Sequence, residues 1–239
     1  MNFMIYDDPQ SYAISKLENK TRRNVLKALK NSVVKSIDDQ QEFVEAGHPV
    51  YLSFYDRTGY RWRCDRIDKE VYRRWAEVLY RYPQLKIMGC YANAKLNTVA
   101  ISYFVEDVIY YATLFCNDDG LKLGASDLML HVIRETASLC PQAKYIFLGP
   151  PGNRKGLDAF KLRRQCQILS EPALFRLNPL ALLITKCFGS DNYRRLKGEL
   201  IYHEECRESS RSKCRTGRPY PISRLFKRHG NDYRVYGSK

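Results

Sequence analysis

At 239 residues, 44% of them apolar, the chain is long enough for one large domain or two small ones with an ordinary buried core. Its net charge of +14 attracts polyanions, whether nucleic acid, nucleotide cofactors or an anionic membrane surface. No apolar run approaches the ~18 residues that cross a bilayer, and Asp7 and Asp8 stand where a signal peptide carries a basic and then an apolar stretch, so the sequence speaks against a membrane span and predicts a cytosolic protein.

Eight scattered cysteines with no Cys-x-x-Cys pair fit reduced, mostly buried thiols. His203, Cys206, Cys214 and His229 match no zinc-finger spacing, so no metal is expected.

In chain order, Met1 to Tyr6 reads as a short edge strand, and Asp8 with Pro9 as a helix entry. Ser11 to Lys30 fits a helix whose outer face holds Lys16, Lys20, Arg22, Arg23, Lys27 and Lys30. Arginine forks pair with phosphate oxygens, which makes Arg22 and Arg23 candidates for nucleic-acid or phosphate contact. The same charges also fit a solvated face.

Val33 to Ile37 reads as the first strand of the main sheet. Asp38 caps a helix that breaks near Gly47 to Pro49 and resumes to Asp56. Arg57 to Arg66 interleaves four arginines with Tyr60 and Trp62, a pattern for base stacking unless Asp56, Asp65 and Asp68 pair with those arginines internally. Lys69 to Tyr82 is an amphipathic helix predicted to bury Val71, Trp75, Val78 and Leu79, and Pro83 ends it.

The central stretch has a two-residue period. Lys86 to Ala92, Thr98 to Glu106 and Val108 to Cys116 form a three-stranded meander, with turns at Asn93 to Asn97 and at Glu106 to Asp107. Asn117 to Gly124 is a polar loop leading to a helix that Ser126 caps, with Leu128, Met129, Val132, Ile133 and Thr136 on one face. Tyr145 to Leu148 then returns as a strand, the crossover making it parallel to a neighbour, and Gly149 to Gly152 is a sharp exit.

Gly156 to Arg164 reads as a short helix, Gln165 to Leu169 as a strand, Leu177 to Phe188 as a buried helix opened by Pro179, and Asn192 to Leu200 as a more polar helix. From His203 on, ten basic residues against four acidic ones and few aliphatics make a basic extension, so the domains read as 1–202 and 203–239.

This order of elements resembles the Gcn5-related N-acetyltransferase (GNAT) fold, and more closely its FemAB-like branch of peptidyl and acyl transferases. Lys20 to Val25 with Ala28 match that branch's first helix. Leu148 and Gly149, then Gly156, Phe160 and Lys161, match its strand ending in glycine followed by a Phe-Lys pair. The resemblance implies an α/β (α+β) fold with a mixed, mostly antiparallel central sheet flanked by helices.

It also implies an N-acyltransferase moving an acyl or aminoacyl group from an activated donor to an amine acceptor without metal. That donor is acyl-CoA, an acyl-carrier protein or aminoacyl-tRNA. Well-known members hold the donor on a loop reading Arg or Gln, two residues, Gly, one residue, then Gly or Ala. Here the segment is Leu121, Lys122, Leu123, Gly124, Ala125, Ser126, so Lys122, Gly124, Ala125 and Ser126 are the donor candidates, with Leu121 in the leading place. Asp118, Asp119 and Asp127 flank that loop and would repel a pyrophosphate.

Lys161, Tyr111 and Asn153 are the catalytic candidates, for charge stabilisation and proton transfer. A core tyrosine is the plain alternative for Tyr111. The competing function is a non-catalytic RNA-binding protein on the same fold, using the basic helix and extension.

Overall fold

The computed structural model describes residues 1–59, 63–152, 155–172, 178–189, 193–194 and 197. Asn153, the Tyr60 to Trp62 part of the arginine-aromatic passage and the basic extension 203–239 lie outside the described residues, as does most of the helix predicted over 192–200.

The strands are β1 (Asn2–Asp7), β2 (Val33–Ser36), β3 (Leu85–Ala92), β4 (Lys95–Val105), β5 (Val108–Cys116), β6 (Tyr145–Phe147) and β7 (Gln167–Ser170). The helices are α1 (Asn19–Asn31), α2 (Gln40–Thr58), α3 (Lys69–Tyr80), α4 (Asp118–Leu123), α5 (Ala125–Ser138), α6 (Lys155–Leu162) and α7 (Pro179–Phe188). One seven-stranded sheet runs in the order β2-β3-β4-β5-β6-β1-β7. Every pairing is antiparallel except β5 with β6, where the α5 crossover brings the chain back parallel. The fold class and the parallel return are as the sequence predicts.

Both faces of the sheet are covered, which is why Leu96 to Ser102 are buried without alternation. On one face α2 and α3 close over Ile87, Val99, Ile101 and Phe115 with Phe43, Tyr51 and Tyr72. On the other, α1 and α5 close over Cys90, Ala100 and Cys116 with Val25, Ala28 and Leu128. Further along that second face, Leu130 and Ala137 of α5 pack on Met4, Tyr6, Ile109 and Ile146, with Phe160 of α6 at the rim.

Several boundaries differ from expectation. β1 lies between β6 and β7 rather than at an edge, because Phe3 and Ile5 pair to β7 while Ile5 to Asp7 pair to β6. Two short 3-10 turns, Pro9–Ser11 and Ile14–Lys16, replace the first half of the long helix predicted from Ser11. The helix after β2 is capped by Asp39, which accepts hydrogen bonds from the backbone of Gln41 and Glu42. It runs unbroken through Pro49, since Phe43, Val44, Val50 and Tyr51 on either side are buried. That burial outweighs the ~3 kcal/mol a helix-interior proline costs.

The first hairpin is also tighter than predicted. Asn93 and Ala94 both take positive φ, 49° and 59°, and make a two-residue turn whose twist matches the strands. Lys95 to Asn97 therefore join β4. Tyr72 and Ala76, with Trp75 and Leu79, form the buried stripe of α3, and Val78 is 49% exposed. The predicted polar loop after β5 holds α4, capped by Asn117, and Gly124 instead of Ser126 begins α5. No residue of α7 is buried, contrary to expectation.

Candidate active site

Two strands that pair and then part define the site. β5 and β6 keep parallel register only from Val108↔Tyr145 to Tyr110↔Phe147. Beyond that point β5 continues to Cys116, while β6 turns to β1: Leu148 donates its N–H to Met4 O at 2.8 Å, and Met4 donates to Gly149 O at 2.9 Å. Gly149 has φ 87°, a left-handed conformation that only glycine takes freely, and it steers the chain away.

On the other strand, Ile101 pairs with Thr113 and Ser102 with Tyr111, so Ala112 is the extra residue of a β-bulge that bends β5 where β6 leaves it. The two strands part here, and the slot between them has Tyr111 on one strand and Leu148 just past the end of the other.

Lys161 reaches this slot from α6. Its Nζ donates to Leu148 O at 2.7 Å, placing an ammonium at the point of divergence. Burial lowers its pKa from the ordinary 10.5, opposed by nearby Asp158 and Cys166. The Tyr111 hydroxyl is buried and has no hydrogen-bond partner among the described residues. Burial, then Tyr6 and Cys116, hold its pKa well above the usual value, so it is a protonated phenol. The Tyr6 hydroxyl is likewise buried without a partner and close enough to affect Tyr111 electrostatically.

A buried ion pair fixes the end of α6 that bears Lys161. Arg164 Nε binds Asp127 Oδ1, with the two side chains 13% and 5% exposed, and Arg164 Nη1 donates to Phe160 O at 2.7 Å. Asn24 of α1 donates to Asp127 Oδ2 at 2.8 Å. Gln165, at φ 67°, closes the turn by donating to Lys16 O at 2.7 Å. Arg134 of α5 lies between the rings of Tyr6 and Tyr12, 4.2 and 4.1 Å from their centroids. Tyr12 in turn holds His131 Nδ1 at 2.7 Å. These contacts join residues far apart in the chain, so no local pattern could have revealed them.

The donor candidates form a packed junction. Ala125 and Ser126 are buried, and Ser126 interacts with the Cys116 thiol. A Cβ on Gly124 would come 2.9 Å from Asn24 O, so α1 lies against this glycine. Lys122 is exposed, and its carbonyl accepts from Lys27 Nζ at 3.0 Å.

The three carboxylates expected to repel a phosphate here are each compensated. Asp118 pairs with Arg57 at 2.8 Å, Asp119 with Lys95 at 3.2 Å, and Asp127 with Arg164. Arg63 pairs with Asp65 and Arg66 stacks on Trp75, so the described arginines of the 57–66 passage are engaged within the fold. Arg22 binds Asn19 and the Ser15 carbonyl, while Arg23 is exposed. Two cavities of about 570 and 690 Å³ flank the Asn93–Ala94 turn, and none of the predicted site residues lines them. Among the described residues no cluster of three or more metal-ligating side chains is present, and no helix is long and apolar enough to cross a membrane.

A central sheet that opens beside a crossover helix is the GNAT arrangement, and the chain has that fold. Among solved structures it is similar to FemX, with TM-score 0.56 and 11% identity over 70% of this chain and 59% of FemX. The C-terminal domain of a putative lysylphosphatidylglycerol synthetase from Agrobacterium fabrum follows at TM-score 0.49, with 10% identity over 70% of this chain and 57% of that one. A possible acetyltransferase from Clostridium difficile 630 gives 0.48, with 8% identity over 62% and 97%. The chain thus spans about three-fifths of the length of FemX. No family model and no curated protein matches the sequence.

Proposed function

We propose that the chain is an N-acyltransferase that moves an acyl or aminoacyl group from an activated donor to an amine, with residues 1–202 as the catalytic domain. The observation that supports this most is the Lys161 ammonium on the Leu148 carbonyl where β6 leaves β5, with β5 carrying at the same divergence a Tyr111 whose buried hydroxyl is unpartnered among the described residues.

In this reading the donor carbonyl sits in the slot. The acceptor nitrogen attacks the carbonyl carbon, and the oxygen takes up negative charge that the Lys161 ammonium stabilises. Collapse breaks the C–S or C–O bond, the leaving thiolate or alkoxide takes the Tyr111 proton, and Tyr111 recovers one from the newly bonded ammonium. The net change is one C–N bond formed, one donor bond broken, and one proton moved from amine to leaving group. The donor is acyl-CoA, an acyl-carrier protein or aminoacyl-tRNA, entering past Lys122 at the α4–α5 junction.

Full-length protein is tested for transfer from acetyl-CoA and from aminoacyl-tRNA to a panel of amines. Lys161→Ala should lower turnover by about 10²-fold or more, the loss seen when an oxyanion donor is removed. Its melting temperature should stay close to wild type, because the side chain's hydrogen bond goes to a single carbonyl. Unchanged turnover in that variant removes Lys161 from the chemistry. Salt-dependent RNA binding without transfer from any donor would favour the non-catalytic alternative.

A further inference from the structure

The outer face of α1 is not used by the reaction above. Thr21, Val25 and Ala28 make its buried line, and opposite them run Arg23, Leu26 and Lys30, with Lys20 and Lys27 on one flank and Leu29 on the other. Some exposed cations elsewhere, among them Lys35, Arg57, Lys69, Arg73, Lys95 and Lys144, lie within 4 Å of a carboxylate, while others, such as Arg74, Lys86, Lys122 and Arg163, stand singly rather than four to one helix face. Among the described residues, Lys20, Arg23, Lys27 and Lys30 have none, and Glu18 at the helix start is the nearest acid in sequence.

Between these charges stand large apolar side chains open to solvent. Leu26 is 45% and Leu29 47% exposed, and Val33, just past the helix, is 65% exposed. A recess at the foot of α1 continues the pattern, with Leu29, Val33 and Leu123 lining it beside Lys30, while its Lys35 is paired to Glu42.

Uncompensated cations alone fit any polyanion. Exposed leucines set among them fit an anionic bilayer, whose phosphates meet the lysines and whose acyl boundary receives the leucines, whereas a nucleic-acid backbone offers the leucines nothing. We infer that the outer face of α1 docks the protein on the surface of an anionic lipid membrane. This holds whether or not the acyltransferase reading does.

Flotation of the full-length protein tests it, with vesicles of phosphatidylcholine alone and of phosphatidylcholine with about 30% phosphatidylglycerol, anionic enough to carry the surface potential that attracts basic side chains. Binding is expected to the anionic vesicles and to weaken with salt. Charge reversal at Lys20, Arg23 and Lys30 should lower the partition coefficient about a hundredfold, since each cation near such a surface contributes roughly a fivefold factor. Leu26→Asn with Leu29→Asn, at positions already open to water, should lower it about tenfold, the order expected for two part-inserted leucines, and leave binding of an uncharged-tRNA probe unchanged. The proposal is overturned by failure to float with anionic vesicles, by binding that ignores the leucine pair, or by binding that survives the α1 reversals and is lost when basic residues of 203–239 are neutralised.

Discussion

Lys161 binds the chain on the β6 side of the divergence and Tyr111 belongs to the β5 side, and the two differ in charge. The lysine is a half-buried cation that donates to one carbonyl; the tyrosine carries a buried neutral hydroxyl that donates to none among the described residues. Because burial depresses the Lys161 pKa, the unfolded chain binds more protons between the folded value and 10.5, so stability rises with pH across that window. The cost of burying the charge is fully present below it. Activity should run the other way, since the ammonium is the working form. The alkaline limb of kcat should fall at a pH below 10.5 in wild type, and Lys161→Arg should move it upward or remove it. A limb that stays in place in Lys161→Arg belongs to another group.

Tyr111→Phe offers a second contrast at the same scale. An unpartnered buried hydroxyl costs folding free energy, so its removal should stabilise the free protein by about 1 kcal/mol while lowering kcat by about 10²-fold, the lower end for a general acid. Denaturant melts and single-turnover rates read the two effects separately. Loss of stability would mean that the hydroxyl has a partner after all.

Among the elements, the site depends on how α6 is held. α6 is eight residues long and reaches the β6 exit through the Lys161 hydrogen bond to Leu148 O. Its C-terminal end is tied to the first turn of α5 by Arg164 and Asp127, and through Asn24 to α1. Asp127→Asn should destabilise the fold by about 3–5 kcal/mol, because a guanidinium is left buried against a neutral amide, whereas Asp127→Leu with Arg164→Met should cost less than the single change. Thermal unfolding of the two variants decides the order.

The elements themselves were largely legible in the sequence, because hydrophobic period reports burial. The meander, the crossover helix and the glycine exit at Gly149 were all predicted from spacing. What misled was local propensity set against tertiary context. Pro49 marks a break on its own, yet the buried residues on both sides keep α2 continuous. Asp118, Asp119 and Asp127 read as repulsive because Arg57, Lys95 and Arg164 lie 24 or more residues from them in sequence and beside them in space. Tyr6 carried no signal at all, since its meaning arises only when β1 enters the sheet between β6 and β7.

Among the described residues, the sheet is covered by helices on both faces and its strands part between β5 and β6. A bulge bends one strand, a glycine turns the other, and α5 packs across the second face of the sheet over both. That seam sits apart from the two cavities at the Asn93–Ala94 turn, which makes the location of a bound donor a decisive observable.

The most direct measurement is a crystal structure of the full chain with a non-reactive donor, a coenzyme A thioether and, separately, an amide-linked aminoacyl-tRNA end. The account predicts that for one of them the atom replacing the reactive carbonyl carbon lies between Tyr111 and Lys161, about 3–3.5 Å from each reacting group. A donor bound at the Asn93–Ala94 cavities, with the seam between β5 and β6 still empty, would contradict it.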